Sequence, residues 1–369
     1  MTIKSKSRKR YDELKFTALE VSEGDAFLLE RGEWKCLFDA GEDKTKAKDL
    51  LIAKNIQRIN LAICSHNDVD HSEGFIEILK SSITIDEIWF PGCWISIIRF
   101  IVNNLNSANW IIFEKLIDSS SGKKSYSKQE FSMDALYEPE ANAVPVSEFK
   151  KYMTDDYATY DDYMKNPIRK RKNSKQWICI KKIMQIAKLA FDKGCIIRWL
   201  EPDYCGINSY VDYGFFALNA KPKSFVKKVS STTNFIKLIN LTIENIYSLA
   251  FEFKYNGIPV IRFSADSTCY SQTVNPYKES IIITAPHHGS CHNDIVYSLL
   301  QFDIDKTIWV KTHNRSVTKI KDFKNLKNKY CVFCCKNTFS GPERICFEYN
   351  DAIKEWQYKK GHNCLYPKC

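Results

Sequence analysis

Short hydrophobic stretches alternate with polar turns through the first hundred residues. Three stretches have the length and β-branched or aromatic content of strands, and turns containing Gly24 and Gly32 separate them. A helical pattern, a buried strand and the start of a second helix follow. Strands that alternate with helices indicate an α/β fold. The predicted strands cover residues 15–21, 26–30, 34–39 and 59–64, and the predicted helices cover residues 44–54 and 73–79.

The composition changes in the middle of the chain. Residues 103–200 are rich in Ser, Lys, Asp and Tyr, and we expect them to form a largely helical insertion between two halves at 1–102 and 201–369. Apolar residues at helical spacing over 177–191 predict an amphipathic helix within it. The second half returns to a strand pattern. Its predicted strands cover residues 214–218, 248–253, 259–263, 280–285, 307–311, 330–335 and 344–349.

Composition excludes several classes of protein. The 369 residues are 44% hydrophobic, which argues against a disordered chain. The longest apolar runs contain charges or proline, and the basic N-terminus lacks an apolar signal region. Most of the 14 cysteines lie in apolar stretches, as is usual for buried reduced thiols. We therefore expect a cytoplasmic protein that does not enter a membrane.

One polar cluster directly follows the predicted strand 59–64. His66, Asp68, Asp70 and His71 place four potential metal ligands within six residues. A strand end is rigid enough to hold such a loop, so that its side chains converge on a cation. A solvated polar loop is the alternative, but two His and two Asp so close together favour a metal site.

Two further groups follow other predicted strands. Asp266 comes after the strand 259–263, and His287 and His288 come after the strand 280–285, with His292 nearby. Each alone is typical of a turn or cap. The chain has seven histidines, and five of them fall in these two His-containing motifs, which makes the combination specific.

Several motifs, in order, resemble those of a known family. LEVSEGDAFLLE at 19–30 is similar to a "DVGQGDA" strand–turn–strand, and LFDAG at 37–41 to an "IDGG" element. SHNDVDHSEG at 65–74 resembles "SHxDxDHxGG". Residues 245–266 are similar to "NxxSL…GD", and APHHGS at 285–290 to "PHHGS". The chain thus resembles the metallo-β-lactamase-fold hydrolases, and among them the hydrolase domain of the ComEC competence protein family.

This resemblance, over about residues 15–102 and 210–315, implies an αββα sandwich with two divalent metal ions, Zn or Mn, at one edge of its sheets. It implies that His66 and Asp68 hold the first ion, and that Asp266 bridges both. The second ion would be held by Asp70, His71 and His288. His287 is the alternative ligand to His288; we prefer His288, with His287 in contact with substrate. Asp39 would orient the metal loop and Asp25 would support the site.

The sequence departs from the wider family motif at the first metal. Asp68 stands where His-x-His-x-Asp-His has its second histidine, and no histidine lies between His71 and His287. We therefore expect a first site that is weak, occupied only with substrate, or empty. Cys93 and a carboxylate of the insertion are the candidate substitute ligands, and the sequence selects neither. The oxygen-rich ligands of this site shift the expectation from zinc towards manganese.

The resemblance implies a metal-dependent phosphodiesterase, and we expect a nuclease that cleaves DNA through a metal-activated hydroxide. Asp70, Asp266 and His287 are the predicted catalytic residues. The net charge of +10, the basic N-terminal arm and the basic run 169–172 suit a polyanionic substrate. The alternatives are a hydrolase of a small phosphoester or cyclic nucleotide, and a weakly active or inactive regulatory subunit. A protein partner is expected to contact residues 103–200.

Overall fold

The structure is a computed structural model with a mixed α/β fold. It describes residues 13–104, 136–138, 143–149, 175–203, 209–245, 247–267, 279–289, 297, 305–312, 323, 325–333 and 343–360. Within these ranges the helices are α1 (Lys46–Ala53), α2 (Val69–Ser72), α3 (Gly74–Lys80), α4 (Gly92–Asn104), α5 (Lys175–Asp192) and α6 (Thr232–Ile243). None of these helices has the length and apolar character needed to cross a membrane.

Most strands of the described part belong to two large sheets. The first has the order β10-β7-β5-β4-β3-β2-β1-β17-β18, and the second has the order β16-β15-β14-β13-β12-β9-β8. Strands β6 and β11 form a separate pair. The bounds in the first half are β1 (Leu14–Leu19), β2 (Phe27–Arg31), β3 (Trp34–Phe38), β4 (Arg58–Ile63), β5 (Thr84–Pro91), β6 (Val144–Pro145) and β7 (Ile196–Pro202). Those of the remainder are β8 (Ser209–Asp212), β9 (Phe215–Ala217), β10 (Ala220–Pro222), β11 (Phe225–Val226), β12 (Phe251–Tyr255), β13 (Ile258–Phe263), β14 (Ile281–Thr284), β15 (Thr307–Lys311), β16 (Lys329–Cys331), β17 (Glu343–Asn350) and β18 (Glu355–Lys360).

The two sheets enclose an aromatic core. Alternate residues of a strand face opposite sides, so β3 sends Cys36 and Phe38 into this core and Leu37 to the outer face. Phe38 stacks on Phe263 of β13 with ring centroids 4.4 Å apart. Trp89 of β5 packs edge-on against Phe215 of β9 at 5.8 Å. These contacts fix the relative positions of the strand ends that carry the polar clusters.

Helices cover the outer face of the first sheet. Buried side chains of α3, α4, α5 and α6 form one apolar cluster with that face. Residues 175–202, which lie mostly within the predicted insertion, contribute α5 and the strand β7. Strand β7 pairs in parallel with β5, so this stretch forms part of the first sheet and its core. Residues 105–135, 139–142 and 150–174 of the interval lie outside the described residues.

Most element predictions are confirmed, with boundaries shifted by a few residues. The strand 307–311 is observed as predicted, and the amphipathic pattern over 177–191 is the helix α5. The described cysteines are free thiols, and most of them are buried, which agrees with their positions in apolar stretches. The sequence patterns did not identify several described elements, among them β5, β7, β18, α4 and α6. A short segment without a clear period of 2 or 3.6 gives no such signal.

Candidate metal centre

The predicted site residues meet where several strands end at one edge of the two sheets. Asp39 follows β3 and the loop 65–72 follows β4, both in the first sheet. Asp266 and the pair His287 and His288 follow β13 and β14 of the second sheet. The parallel pairs β3–β4 and β13–β14 bring the carboxyl ends of neighbouring strands together at that edge. The predicted convergence of these three motifs is therefore observed.

Two glycines let the backbone around the loop pack closely. Gly24 has φ +92°, and a Cβ there would lie 1.6 Å from the carbonyl oxygen of Asp70. A Cβ on Gly74 would lie 2.1 Å from the carbonyl oxygen of Ala40. The amide of Asp25, next to Gly24, donates to the same Asp70 carbonyl at 2.9 Å. The turn before β2 therefore holds the backbone of the metal loop in place.

The centre of the cluster is a pair of facing imidazoles. Nε2 of His71 lies 3.0 Å from Nε2 of His288, and both side chains are buried. Oδ2 of Asp70 lies 3.0 Å from Nε2 of His288. Oδ1 of Asp266 lies 3.2 Å from Nε2 of His71. Four potential ligand atoms from three distant parts of the chain thus converge on one small volume.

Carboxylates behind the two rings determine which ring nitrogen carries hydrogen. Nδ1 of His71 lies 2.8 Å from Oδ2 of Asp39, and Nδ1 of His288 lies 3.0 Å from Oδ1 of Asp25. A carboxylate accepts, so each Nδ1 donates and each neutral ring keeps a lone pair on Nε2. Asp25 also falls in a group with His71 and His288 whose ligand atoms lie within 4.8 Å. Because it contacts Nδ1, Asp25 supports the ring rather than facing the cluster.

The Nε2 lone pairs of His71 and His288 indicate whether these residues suit a cation. When both Nδ1 atoms donate, the two Nε2 lone pairs face one another at 3.0 Å, an arrangement that a proton or a cation between them stabilises. Burial opposes charged imidazole, but Asp266 and Asp39 raise the pKa of His71 well above its usual value. Burial likewise opposes charge on His288, but Asp25 and Asp70 raise its pKa to about 10. Both pKa shifts show that the carboxylates around the two rings favour positive charge at this position.

The pKa values of the carboxylates in the cluster shift in the opposite direction, below their usual range. Burial would raise the pKa of Asp266, but His71 and His66 hold it well below its usual value. Burial would also raise the pKa of Asp70, but His288 and His71 hold it low. Both side chains are therefore ionised at neutral pH. Buried imidazole and carboxylate groups of this kind fit a divalent ion such as Zn or Mn.

His66 forms a second group with His71 and Asp266, again with ligand atoms within 4.8 Å. Nδ1 of His66 lies 2.9 Å from Oγ of Ser65, which itself donates to Asp39. Among the described residues, the buried Nε2 of His66 has no hydrogen-bond partner. It lies 3.5 Å from Oδ2 of Asp266 and 3.9 Å from Oδ2 of Asp68. An unsatisfied buried nitrogen facing two carboxylates is a second observation that fits a cation.

The structure distinguishes the two consecutive histidines. His288 is buried in the cluster, whereas the side chain of His287 is 39% exposed and its Nε2 lies 3.7 Å from Oδ2 of Asp266. Burial lowers the pKa of His287, which is neutral at neutral pH. His288 is therefore the member of the pair that belongs to a group of potential metal ligands in the described chain. His287 borders the cluster from the exposed side.

Cys93, one suggested substitute ligand, lies elsewhere. It is buried at the start of α4 in the apolar core on the outer face of the first sheet. Oγ1 of Thr242 donates to its sulfur at 3.8 Å, and burial raises its pKa to about 12. It belongs to neither group of potential ligands in the described chain.

The sequence assigned no role to Asn245, whose side chain contacts two carboxylates of the cluster. Its Nδ2 lies 2.7 Å from Oδ2 of Asp68 and 3.0 Å from Oδ2 of Asp266. Its place in the "NxxSL" segment was the available signal. His292 and the basic run 169–172 lie outside the described residues.

Backbone conformation around the cluster is unusual. Several non-glycine residues of the site have positive φ, a conformation that costs free energy and is concentrated at functional sites. They are Asp39 (55°), Asn245 (57°), Ala265 (43°), His287 (47°) and His288 (51°). The surrounding contacts thus hold these residues in a conformation that costs free energy, and the side chains of all but Ala265 contact or border the cluster.

Comparison with known proteins does not assign the chain to a family. No protein-family model matches it, and the curated proteins contain no match either.

Proposed function

We propose that this protein is a metal-dependent phosphodiesterase of the metallo-β-lactamase fold, and that its substrate is DNA. The observation that carries the proposal is the convergence of Nε2 of His71 and His288 with the carboxylates of Asp70 and Asp266. The described layers, helices on the outer face of the first of two packed sheets, correspond to three of the four layers of an αββα sandwich and support this fold. The ordered motifs of the ComEC-like resemblance support the same assignment.

The residues divide between two proposed cation positions. Asp70, His71 and His288 face one, His66 and Asp68 face the other, and Asp266 contacts both groups. Bound divalent ions in such a site activate water and offset negative charge on a phosphoryl group.

The chain's own residues supply positioning and exclusion of water. Asp39 and Asp25 orient the rings of His71 and His288, and the burial of these groups strengthens their electrostatic effects. The partly exposed His287 lies where a phosphodiester could contact it. The net charge of +10 favours a polyanion, which is why DNA is preferred to a small phosphoester.

The test is cleavage of labelled single- and double-stranded DNA with added Mn²⁺ or Zn²⁺. Wild type is compared with the double variant Asp70→Ala, His71→Ala. Asp86→Ala is the matched control, because Asp86 is a carboxylate of the same sheet that pairs with the exposed Arg58. Metal-dependent cleavage by wild type and the control, lost in the double variant, would support the proposal.

Two results would count against parts of the proposal. Hydrolysis of bis-p-nitrophenyl phosphate without cleavage of DNA would reject DNA as substrate and keep the phosphodiesterase. Absence of both activities in a protein saturated with metal would reject the enzymatic function and favour a regulatory subunit.

A further inference from the structure

The first proposed cation position lacks a ligand that the resemblance leads one to expect, because no histidine lies between His71 and His287. The structure has an amide there instead. Nδ2 of Asn245 lies 2.7 Å from Asp68 and 3.0 Å from Asp266. A side-chain amide carries two hydrogens, so a single Asn can donate one to each carboxylate.

Asn245 lies just beyond the end of a helix, beside the carboxylates of Asp68 and Asp266. Helix α6 ends at Ile243, and Asn245 follows with φ 57°, a left-handed conformation that asparagine tolerates better than most residues. Two hydrogen bonds join the chain that follows Asn245 to the cluster. The amide of Leu249 donates to the carbonyl of Ser65 at 2.9 Å, and the amide of Asp266 donates to Oγ of Ser248 at 3.0 Å.

The hydrogen bonds from Asn245 offset the repulsion between two carboxylates. Asp68 and Asp266 are carboxylates on different parts of the chain that both approach His66, and like charges at this spacing repel. Asp266 is buried, but the side chain of Asp68 is 37% exposed and has the freedom to turn towards solvent. A donor shared between the two carboxylates offsets the repulsion and holds Asp68 inward.

We propose that Asn245 is the positioning residue of the first cation site, which holds Asp68 beside Asp266 and His66 where the expected histidine is missing. This role rests on the proposed metal site. Asn245 donates hydrogen bonds to the two carboxylates and acts on the cation only through them. Loss of such an outer hydrogen bond typically weakens metal binding about 10- to 100-fold.

The test removes the amide without straining the backbone. Glycine adopts positive φ readily, so Asn245→Gly keeps the turn and deletes the donor. Asn256→Gly is the matched control, because Asn256 also has positive φ (50°) and also donates to a carboxylate, Asp351, at 3.2 Å, but is exposed in the turn between β12 and β13. Mn²⁺ binding is measured by equilibrium dialysis, and the electron paramagnetic resonance spectrum distinguishes coupled from isolated Mn²⁺.

We expect wild type and Asn256→Gly to bind two equivalents with a coupled spectrum. Asn245→Gly should keep one tight equivalent with an isolated six-line spectrum, and its second equivalent should bind about 10- to 100-fold more weakly. Thermal unfolding without metal confirms that all three proteins are folded.

Each contrary outcome has a separate meaning. Two tight equivalents in Asn245→Gly would overturn this role and leave the proposed function intact. Tight binding restored by Asn245→Asp, which has the same shape but no donor, would show an oxygen ligand and overturn the positioning role. A wild-type protein that binds no Mn²⁺ or Zn²⁺ would overturn the metal site itself.

Discussion

Substitution of Asp39 by Asn tests how far one buried carboxylate organises the cluster. Asp39 accepts from the amide and the hydroxyl of Ser65, each at 2.7 Å, and from Nδ1 of His71 at 2.8 Å. Ser65 Oγ in turn lies 2.9 Å from Nδ1 of His66. Asp39 therefore orients His71 directly and His66 through one hydroxyl.

The expected loss of Mn²⁺ affinity follows from the hydrogen bonds that the Asp39→Asn variant would lose. An amide offers one acceptor oxygen, so its NH₂ group would face the donors of Ser65 and His71. Each lost hydrogen bond to a charged group is worth about 1.5–3 kcal/mol before rearrangement. A ring that changes tautomer would recover part of this but would point an N–H at the cation position. We expect Mn²⁺ affinity to fall about 10- to 100-fold, or about 1.4–2.8 kcal/mol.

Isothermal titration of Mn²⁺ into metal-free protein measures this change, and thermal unfolding with and without EDTA measures the stabilisation by metal. The control is Asp86→Asn, because Asp86 also accepts from two donors, Nε of Arg58 at 2.9 Å and Nδ2 of Asn60 at 3.0 Å, away from the cluster. Wild-type affinity and stoichiometry in Asp39→Asn would refute the reasoning that this carboxylate sets the ring orientations.

Three further predictions concern stability. Gly24→Ala should lower the free energy of unfolding by at least about 2 kcal/mol in urea titrations, because its Cβ would meet the Asp70 carbonyl at a positive φ; an unchanged midpoint would contradict the close approach. Phe38→Ala should cost about 3–5 kcal/mol in the same assay, since the ring stacks on Phe263 between the sheets; a loss below about 1 kcal/mol would argue against that packing. The folded protein without metal keeps a proton on His288 up to about pH 10, whereas the unfolded chain releases it near pH 6.5, so stability should fall as pH rises between these values. His288 alone contributes a slope of about 1.4 kcal/mol per pH unit between about pH 7 and 9 in EDTA, and a flat profile would contradict the raised pKa.

The local pattern of the sequence was enough to predict most elements and one complete motif. The strand 307–311 follows from a short run of β-branched and aromatic residues, and the helix over 177–191 follows from a period of about 3.6. The loop from His66 to His71 could be identified as a candidate metal site because its ligands are close in sequence. The grouping of these residues with Asp266 and His288 was what the family resemblance implied, whereas their places at strand ends indicated only that the three motifs belong together.

Only the tertiary structure decided the contacts between distant segments. His288 lies 217 positions from His71, and their 3.0 Å approach depends on two sheets packed through Phe38 and Phe263. Asn245 reaches Asp68 across 177 positions, a contact that no local period encodes. Strand β7 likewise joins β5 although the intervening composition indicated an insertion. Local sequence sets which backbone conformations are favourable, whereas burial of both sheet faces selects which segments become neighbours.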